Sequence, residues 1–133
     1  MNGTYEDVVE SYHRCEASGG FFDTFYAIFF AKSPEIPPRF AKTNMEKQKQ
    51  MLMASVLMVL RLGSGDPVVR KYMEEIAEIH SRRGHDIRPK LYDLWLDALC
   101  EAVQKYDPQY TPELEAQWRE AMRPGIEIMI AAY

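Results

Sequence analysis

The sequence predicts an all-α fold, and three observations carry the prediction. Apolar residues recur at three- and four-residue spacings, proline and glycine fall between the periodic segments, and no stretch alternates as a strand would. The chain has 133 residues, enough for one domain (1–133) to bury a substantial core without disulfides or a structural metal.

The elements follow in order. Thr4, with Asp7 three residues on, resembles an N-cap signal for a helix running to about Ala17, which Ser18-Gly19-Gly20 breaks. A second helix runs from Phe21 to about Lys32, with Phe22, Phe25, Tyr26, Phe29 and Phe30 on one face. Ser33 to Phe40 holds three prolines, which remove donors and restrict their predecessors, so a short corner is expected. Thr43 and Glu46 form a capping box for a third long helix that reaches about Leu62 and is closed by Gly63. Its stripe is Met45, Leu52, Val56 and Val59/Leu60. Asp66 caps the next helix, with Pro67 at its first position; Val69, Met73, Ile76 and His80 share a face, and Gly84 follows the end. Arg88-Pro89 opens a helix to about Tyr106 with Tyr92, Trp95, Leu96, Leu99 and Val103 inward. Thr111-Pro112-Glu113 opens the last, with Leu114, Trp118, Ala121 and Met122 inward. Pro124-Gly125 is expected to kink or break it. The total is six to seven helices.

Composition narrows the function classes. Hydrophobic residues make up 47% and charged residues 27%, an ordinary balance for a globular domain. A net charge of −4 without a basic stripe argues against nucleic acid and anionic membranes as partners. The longest apolar stretch, Met51 to Leu60, ends at Arg61, far short of a bilayer span. Cys15 and Cys100 are isolated, so they form neither a paired-cysteine zinc site nor a C-x-x-C attachment motif and read as structural thiols. The acidic start, Met1 to Asp7, lacks an apolar signal core. A cytoplasmic protein, monomer or homodimer, is expected.

Three polar residues interrupt apolar faces: Tyr26 among the phenylalanines, Gln48 between Met45 and Leu52, and His80 after Ile76. Burying such a group unpaired costs roughly 1 to 3 kcal/mol, so each needs a partner. A shared cavity with one ligand would satisfy all three. Periodicity alone equally allows ordinary core residues with local hydrogen bonds.

The order of these residues resembles the bacterial globins, both the globin domain of flavohaemoglobins and the truncated and other single-domain haemoglobins, from about Phe21 to Ala121. Phe25-Tyr26, Ser33-Pro34-Glu35 and Phe40 are similar to the family's distal run, with the same fourteen-residue separation of tyrosine and phenylalanine. Phe40 to Gln48 resembles the start of the distal helix. In that register Gln48 is distal and Leu52 caps the cofactor; the alternative register uses Gln50 and Ala54. Ile79-His80-Ser81, then Ile87-Arg88-Pro89 and Tyr92, resembles the proximal pattern with about two extra residues before Ile87. His85 is a competing ligand in a loop, and His13 lies on a helix that the family does not use for iron. Trp118 matches an aromatic of the family's last helix.

The resemblance implies a haem b held through His80. Phe40 would stack on the porphyrin, and Leu52, Ile76, Trp95 and Leu96 would wall it. Phe30, Met45, Ile87 and Tyr92 complete the expected pocket, and Arg83 or Arg88 would pair with a propionate. Tyr26 and Gln48 would donate to O₂ and slow its release, with less effect on CO; NO is a third ligand. Oxygen binding or storage, or NO detoxification with an external reductase, is the implied role. A haem-based gas sensor and a haem-free interaction module with the globin fold are the alternatives. Two departures bear on catalysis: the family's late glutamate partner for Tyr92 would fall beyond Tyr133, and the chain carries no reductase domain.

Overall fold

A computed structural model describes residues 3–62 and 65–133. The described residues form six α-helices: α1 (Gly3–Ala17), α2 (Phe21–Ala31), α3 (Met45–Leu62), α4 (Pro67–His80), α5 (Pro89–Tyr106) and α6 (Pro112–Ala131). A 3₁₀ turn, Pro37–Phe40, forms the proline-rich corner. The expected N-cap Thr4 instead lies inside α1, which begins at Gly3, while its side chain and Gly63, the expected helix stop, lie outside the described residues.

Local chemistry explains most of the boundaries. Gly19 and Gly20 take φ of +73° and +79°, the left-handed region, and so turn the chain between α1 and α2. Asp66 accepts from the Val68 N–H at 3.0 Å, and Thr111 accepts from Leu114 N–H at 3.0 Å. Pro67, Pro89 and Pro112 each stand at the start of a helix, where a missing N–H costs nothing.

Two further expectations are corrected. The expected capping box of Thr43 and Glu46 gives way to Asn44, whose Oδ1 accepts from the N–H groups of Glu46 and Lys47 at 3.1 and 3.2 Å. Thr43 is instead held by the preceding corner, its N–H donating to the Phe40 carbonyl at 3.1 Å. The expected break at Pro124-Gly125 does not occur, and α6 is continuous through the proline. Pro124 forfeits one helical hydrogen bond, but the buried stripe of Leu114, Trp118, Met122, Gly125 and Met129 spans it. Gly125 also permits a close approach. A Cβ there would lie 2.9 Å from Val59 Cγ1 and 3.5 Å from Met73 Cε, so α3, α4 and α6 meet at this glycine.

Helix α5 is the central element. It packs on α2 and α6, and Leu91, Leu96, Ala98, Leu99, Cys100, Ala102 and Val103 are buried around more than one face. Helix α1 covers α6, and α3 and α4 lean on α6 from its other end. Helices α3 and α4 make at most slight contact with α5. Tyr92, Leu94 and Trp95, on the first two turns of α5, therefore stay half-exposed.

One buried polar cluster ties α1, the end of α5 and α6 together. Asp107 accepts from Ser11 Oγ at 2.5 Å, from Arg14 Nε and Nη2 at 2.7 and 2.9 Å, and from the Gln109 N–H at 2.8 Å. Trp118 Nε1 donates to Ser11 Oγ at 2.9 Å. Burial alone raises the Asp107 pKa, but the Arg14, Ser11 and Gln109 donors more than offset it, and the net shift is downward.

Candidate functional site

A second set of buried or half-buried polar groups, Tyr26, Gln48, His80 and Tyr92, is carried by α2, α3, α4 and α5, each beside aromatic or aliphatic neighbours on its own helix. Helix α2 supplies Tyr26, Phe29 and Phe30. The 3₁₀ turn brings Phe40 against them, 5.9 Å from the Tyr26 ring and 5.2 Å from the Phe30 ring between centroids. Phe30 and Phe40 are half-buried and keep ring surface open.

Tyr26 itself is buried. Burial pushes its pKa up to about 12, and the Gln48 amide, donating to its oxygen, acts in the opposite direction. The tyrosine is therefore a neutral hydroxyl at any physiological pH. Gln48 reaches it because Met45, Gln48 and Leu52 share one face of α3, at spacings of three and four. Gln50 points elsewhere. It is exposed and lines a shallow surface depression with Gly20, Phe22, Asp23, Glu46, Lys49 and Met53.

His80 closes α4. Its Nδ1 lies 2.9 Å from the Ile76 carbonyl oxygen, one turn back. A carbonyl only accepts, so Nδ1 carries the hydrogen. The other ring nitrogen, Nε2, then has a free lone pair. Burial lowers the His80 pKa, the Ile76 carbonyl works against that, and the nearby His85 adds to the lowering. The net effect keeps the imidazole neutral, the form that ligates metals.

The loop after α4 holds that last turn. The Ile87 N–H donates to the His80 carbonyl at 2.8 Å, and the His85 N–H to the Ile79 carbonyl at 2.9 Å. The His85 ring stands edge-on to His80 with centroids 5.8 Å apart, but the residue is exposed. His13 is exposed on α1, beside Tyr12. Ile76 and Ile87 are half-buried.

From α5, Leu96 is buried, and Trp95 packs edge-on against Phe25 at 5.9 Å. Tyr92 is half-buried, burial pushes its pKa up to about 12, and its hydroxyl has no hydrogen-bond partner among the described residues. The arginines are engaged elsewhere. Arg83 pairs with Glu78 and donates to the Ala132 carbonyl at 2.7 Å, while Arg88 pairs with Glu35. Arg39 donates to the His85 carbonyl at 3.2 Å, so Glu35 and Arg39 tie the proline-rich corner to the α4–α5 loop. No spacing in the sequence signals this tie, because its partners lie 46 and 53 positions apart.

A family model of the globins matches residues 23–127. The chain belongs to the globin family. Its fold also matches the crystal structure of a Pseudomonas aeruginosa PAO1 protein described as structurally highly homologous to a human haemoglobin. The TM-score is 0.95 and the sequence identity 40%, over 98% of this chain and 98% of that one. Comparison with the curated proteins gives no match. No helix among the described residues of this globin is long and apolar enough to cross a membrane.

The globin family implies a haem, and the donor set fits one. Among the described residues no three His, Cys, Asp or Glu side chains converge to cage a bare metal ion. A single neutral imidazole with a free nitrogen, amid open aromatic and aliphatic surface, suits a metal whose other ligands arrive in a flat apolar macrocycle.

Proposed function

We propose that this globin holds haem b through His80 Nε2 and binds a diatomic gas, O₂ first among O₂, CO and NO, under the control of Tyr26 and Gln48. The observation that carries the reading is the His80 ring. Its Nδ1–H is committed to the Ile76 carbonyl at 2.9 Å, which fixes tautomer and orientation and leaves Nε2 free. The haem iron supplies a reversible bond to the gas. Phe40, Leu52, Ile76, Trp95 and Leu96 exclude water around it, with Phe30, Met45, Ile87 and Tyr92 at the margins. With no C-x-x-C in the chain, haem would be held without covalent attachment.

Tyr26 contributes a neutral O–H and Gln48 an amide donor on the same side of the pocket. Two donors in a water-poor site favour a ligand that accepts hydrogen bonds over one that accepts them weakly. Oxygen storage needs nothing more. NO detoxification would need electrons from a separate reductase in the cytoplasm, and supplying one in a turnover assay separates the two roles. Arg83 and Arg88 would reach a propionate only by leaving Glu78 and Glu35.

The test is the visible spectrum of the haem-supplemented chain, oxidised, reduced and under CO, beside His80→Ala. The wild type is expected to show a Soret band that shifts with CO. His80→Ala is expected to lose or alter it, and free imidazole to restore it. A wild type that takes up no haem sinks the proposal and makes a haem-free interaction module the leading reading.

A further inference from the structure

The segment that follows α6 lies directly on the loop that carries the His80 turn. Tyr133 donates its hydroxyl to Asp86 Oδ1 at 2.6 Å. The Arg82 guanidinium lies 4.5 Å over the Tyr133 ring, and Arg82 Nε donates to the Tyr133 carbonyl oxygen at 2.7 Å. Arg83 Nη2 donates to the Ala132 carbonyl at 2.7 Å. Two consecutive loop arginines thus hold two consecutive carbonyls, while a tyrosine on the same strand of chain holds the loop's carboxylate.

That loop has little freedom of its own. Asp86 sits at φ +54°, the one positive-φ residue other than glycine among the described residues. Such a conformation is unfavourable for a side-chain-bearing residue and persists where surroundings hold it. A Cβ on Gly84 would lie 2.1 Å from the Ile79 carbonyl oxygen, so the loop closes tightly on the end of α4. Through this path the His85 and Ile87 N–H groups return to the Ile79 and His80 carbonyls, which α4 itself leaves unpaired. The orientation of the His80 turn therefore depends on the path of residues 81–87, and Tyr133 is keyed to Arg82 and Asp86, near the two ends of that path.

We infer that Tyr133, with Arg82, is a positioning residue for His80: it locks the α4–α5 loop and so fixes the direction in which the imidazole presents Nε2. This inference rests on His80 as the haem ligand. The contacts are exposed, and exposed pairs add little to global stability. Their effect is local, on the ring beside them.

The experiment compares wild type, Tyr133→Phe and Tyr133→Ala in the full chain. Tyr133→Phe keeps the ring under Arg82 and removes the hydroxyl from Asp86; Tyr133→Ala removes both. In the haem-loaded ferrous protein, resonance Raman reads the iron–histidine stretch. The expected result is a lowered or broadened band for Tyr133→Ala, a smaller change for Tyr133→Phe, and faster haem transfer to an acceptor in the same order. In the haem-free protein, NMR reads solvent exchange of the His80 Nδ1–H. Opening of the loop is expected to speed it by about tenfold in Tyr133→Ala. An unchanged iron–histidine band with unchanged Nδ1–H exchange in both variants overturns the inference, even if the melting temperature falls. If the wild type takes up no haem, the proposed function fails alone, and the exchange measurement still decides whether Tyr133 orders the histidine.

Discussion

Two sets of polar side chains among the described residues differ in how much of their hydrogen-bonding capacity is spent. At one end Asp107 takes four donors, and Ser11 both donates to it and accepts from Trp118. At the other end His80 uses one ring nitrogen, Tyr26 takes the Gln48 amide and keeps its own O–H, and the Tyr92 hydroxyl has no partner among the described residues. A saturated cluster has nothing left to offer a ligand, so its role is to hold helices together. Among the described residues no buried side-chain nitrogen or oxygen lacks a partner, so the open positions here are reached by water, cost little stability and stay available to a ligand. Composition does not separate the two clusters; the count of filled hydrogen-bonding positions does.

The largest expected effect breaks the saturated cluster. Asp107→Ala leaves Arg14, Ser11, Gln109 N–H and, through Ser11, Trp118 without their common acceptor. The Asp107 side chain is fully buried and Arg14 is 26% exposed, so the stranded cation can still reach water. The expected loss is about 3 kcal/mol, the low end for a broken buried pair, read by urea unfolding. The sign of its pH dependence follows from the lowered pKa of Asp107. A carboxylate held below its unfolded value stabilises the fold fully above the ordinary aspartate range, about pH 4, and loses that contribution as pH falls through the lowered pKa. The stability gap between wild type and Asp107→Ala should therefore narrow on acidification below about pH 4. A gap constant down to pH 2 would show that the charge contributes nothing. Haem uptake by the folded fraction should match wild type.

The next effect breaks the unsaturated cluster. Tyr26→Phe removes one hydroxyl and leaves the ring contacts with Phe25, Phe30 and Phe40 in place. Stability should change little. Oxygen release is expected to speed by roughly tenfold, the worth of one hydrogen bond in a dry site, while CO release changes much less. Stopped-flow displacement of each gas measures both. Equal changes for the two gases would remove Tyr26 from the role of donor.

What the sequence made legible follows the same division. Periodic stripes and proline-led helix starts marked the α-helices because their signals are local: Asp66-Pro67 and Thr111-Pro112 are readable as written. The inward placement of Gln48 was legible because three- and four-residue spacing sets it beside Met45 and Leu52; its bond to Tyr26 was not, because the two residues lie on different helices. The continuity of α6 was not legible, because Pro124 is a local breaker and the Gly125 contact with Val59 that spans it is tertiary. The Asp107 cluster escaped for the same reason, since Ser11 and Arg14 lie over ninety positions away in sequence. The Tyr133–Asp86 bond joins residues 47 apart, and no spacing rule reaches that far.

The smallest expected effect lies at the start of α3 and sharpens the comparison there, because the cap decides where the helix carrying Gln48 begins. Thr43 and Asn44 are adjacent, and both are good N-cap residues. In the structure Asn44 Oδ1 takes the N–H groups of Glu46 and Lys47, while the N–H of Thr43 belongs to the 3₁₀ corner. Asn44→Ala is therefore expected to cost about 1 kcal/mol in urea unfolding, and Thr43→Ala under about 0.5 kcal/mol. A frayed first turn also loosens Gln48, so Asn44→Ala should speed oxygen release, though less than Tyr26→Phe does. The opposite ranking of the two alanine variants would mean that the Thr43–Glu46 capping box governs in solution. In that case α3 would begin one residue earlier than in this structure, and the hold of its first turn on Gln48 would have to be reassigned from Asn44 to Thr43.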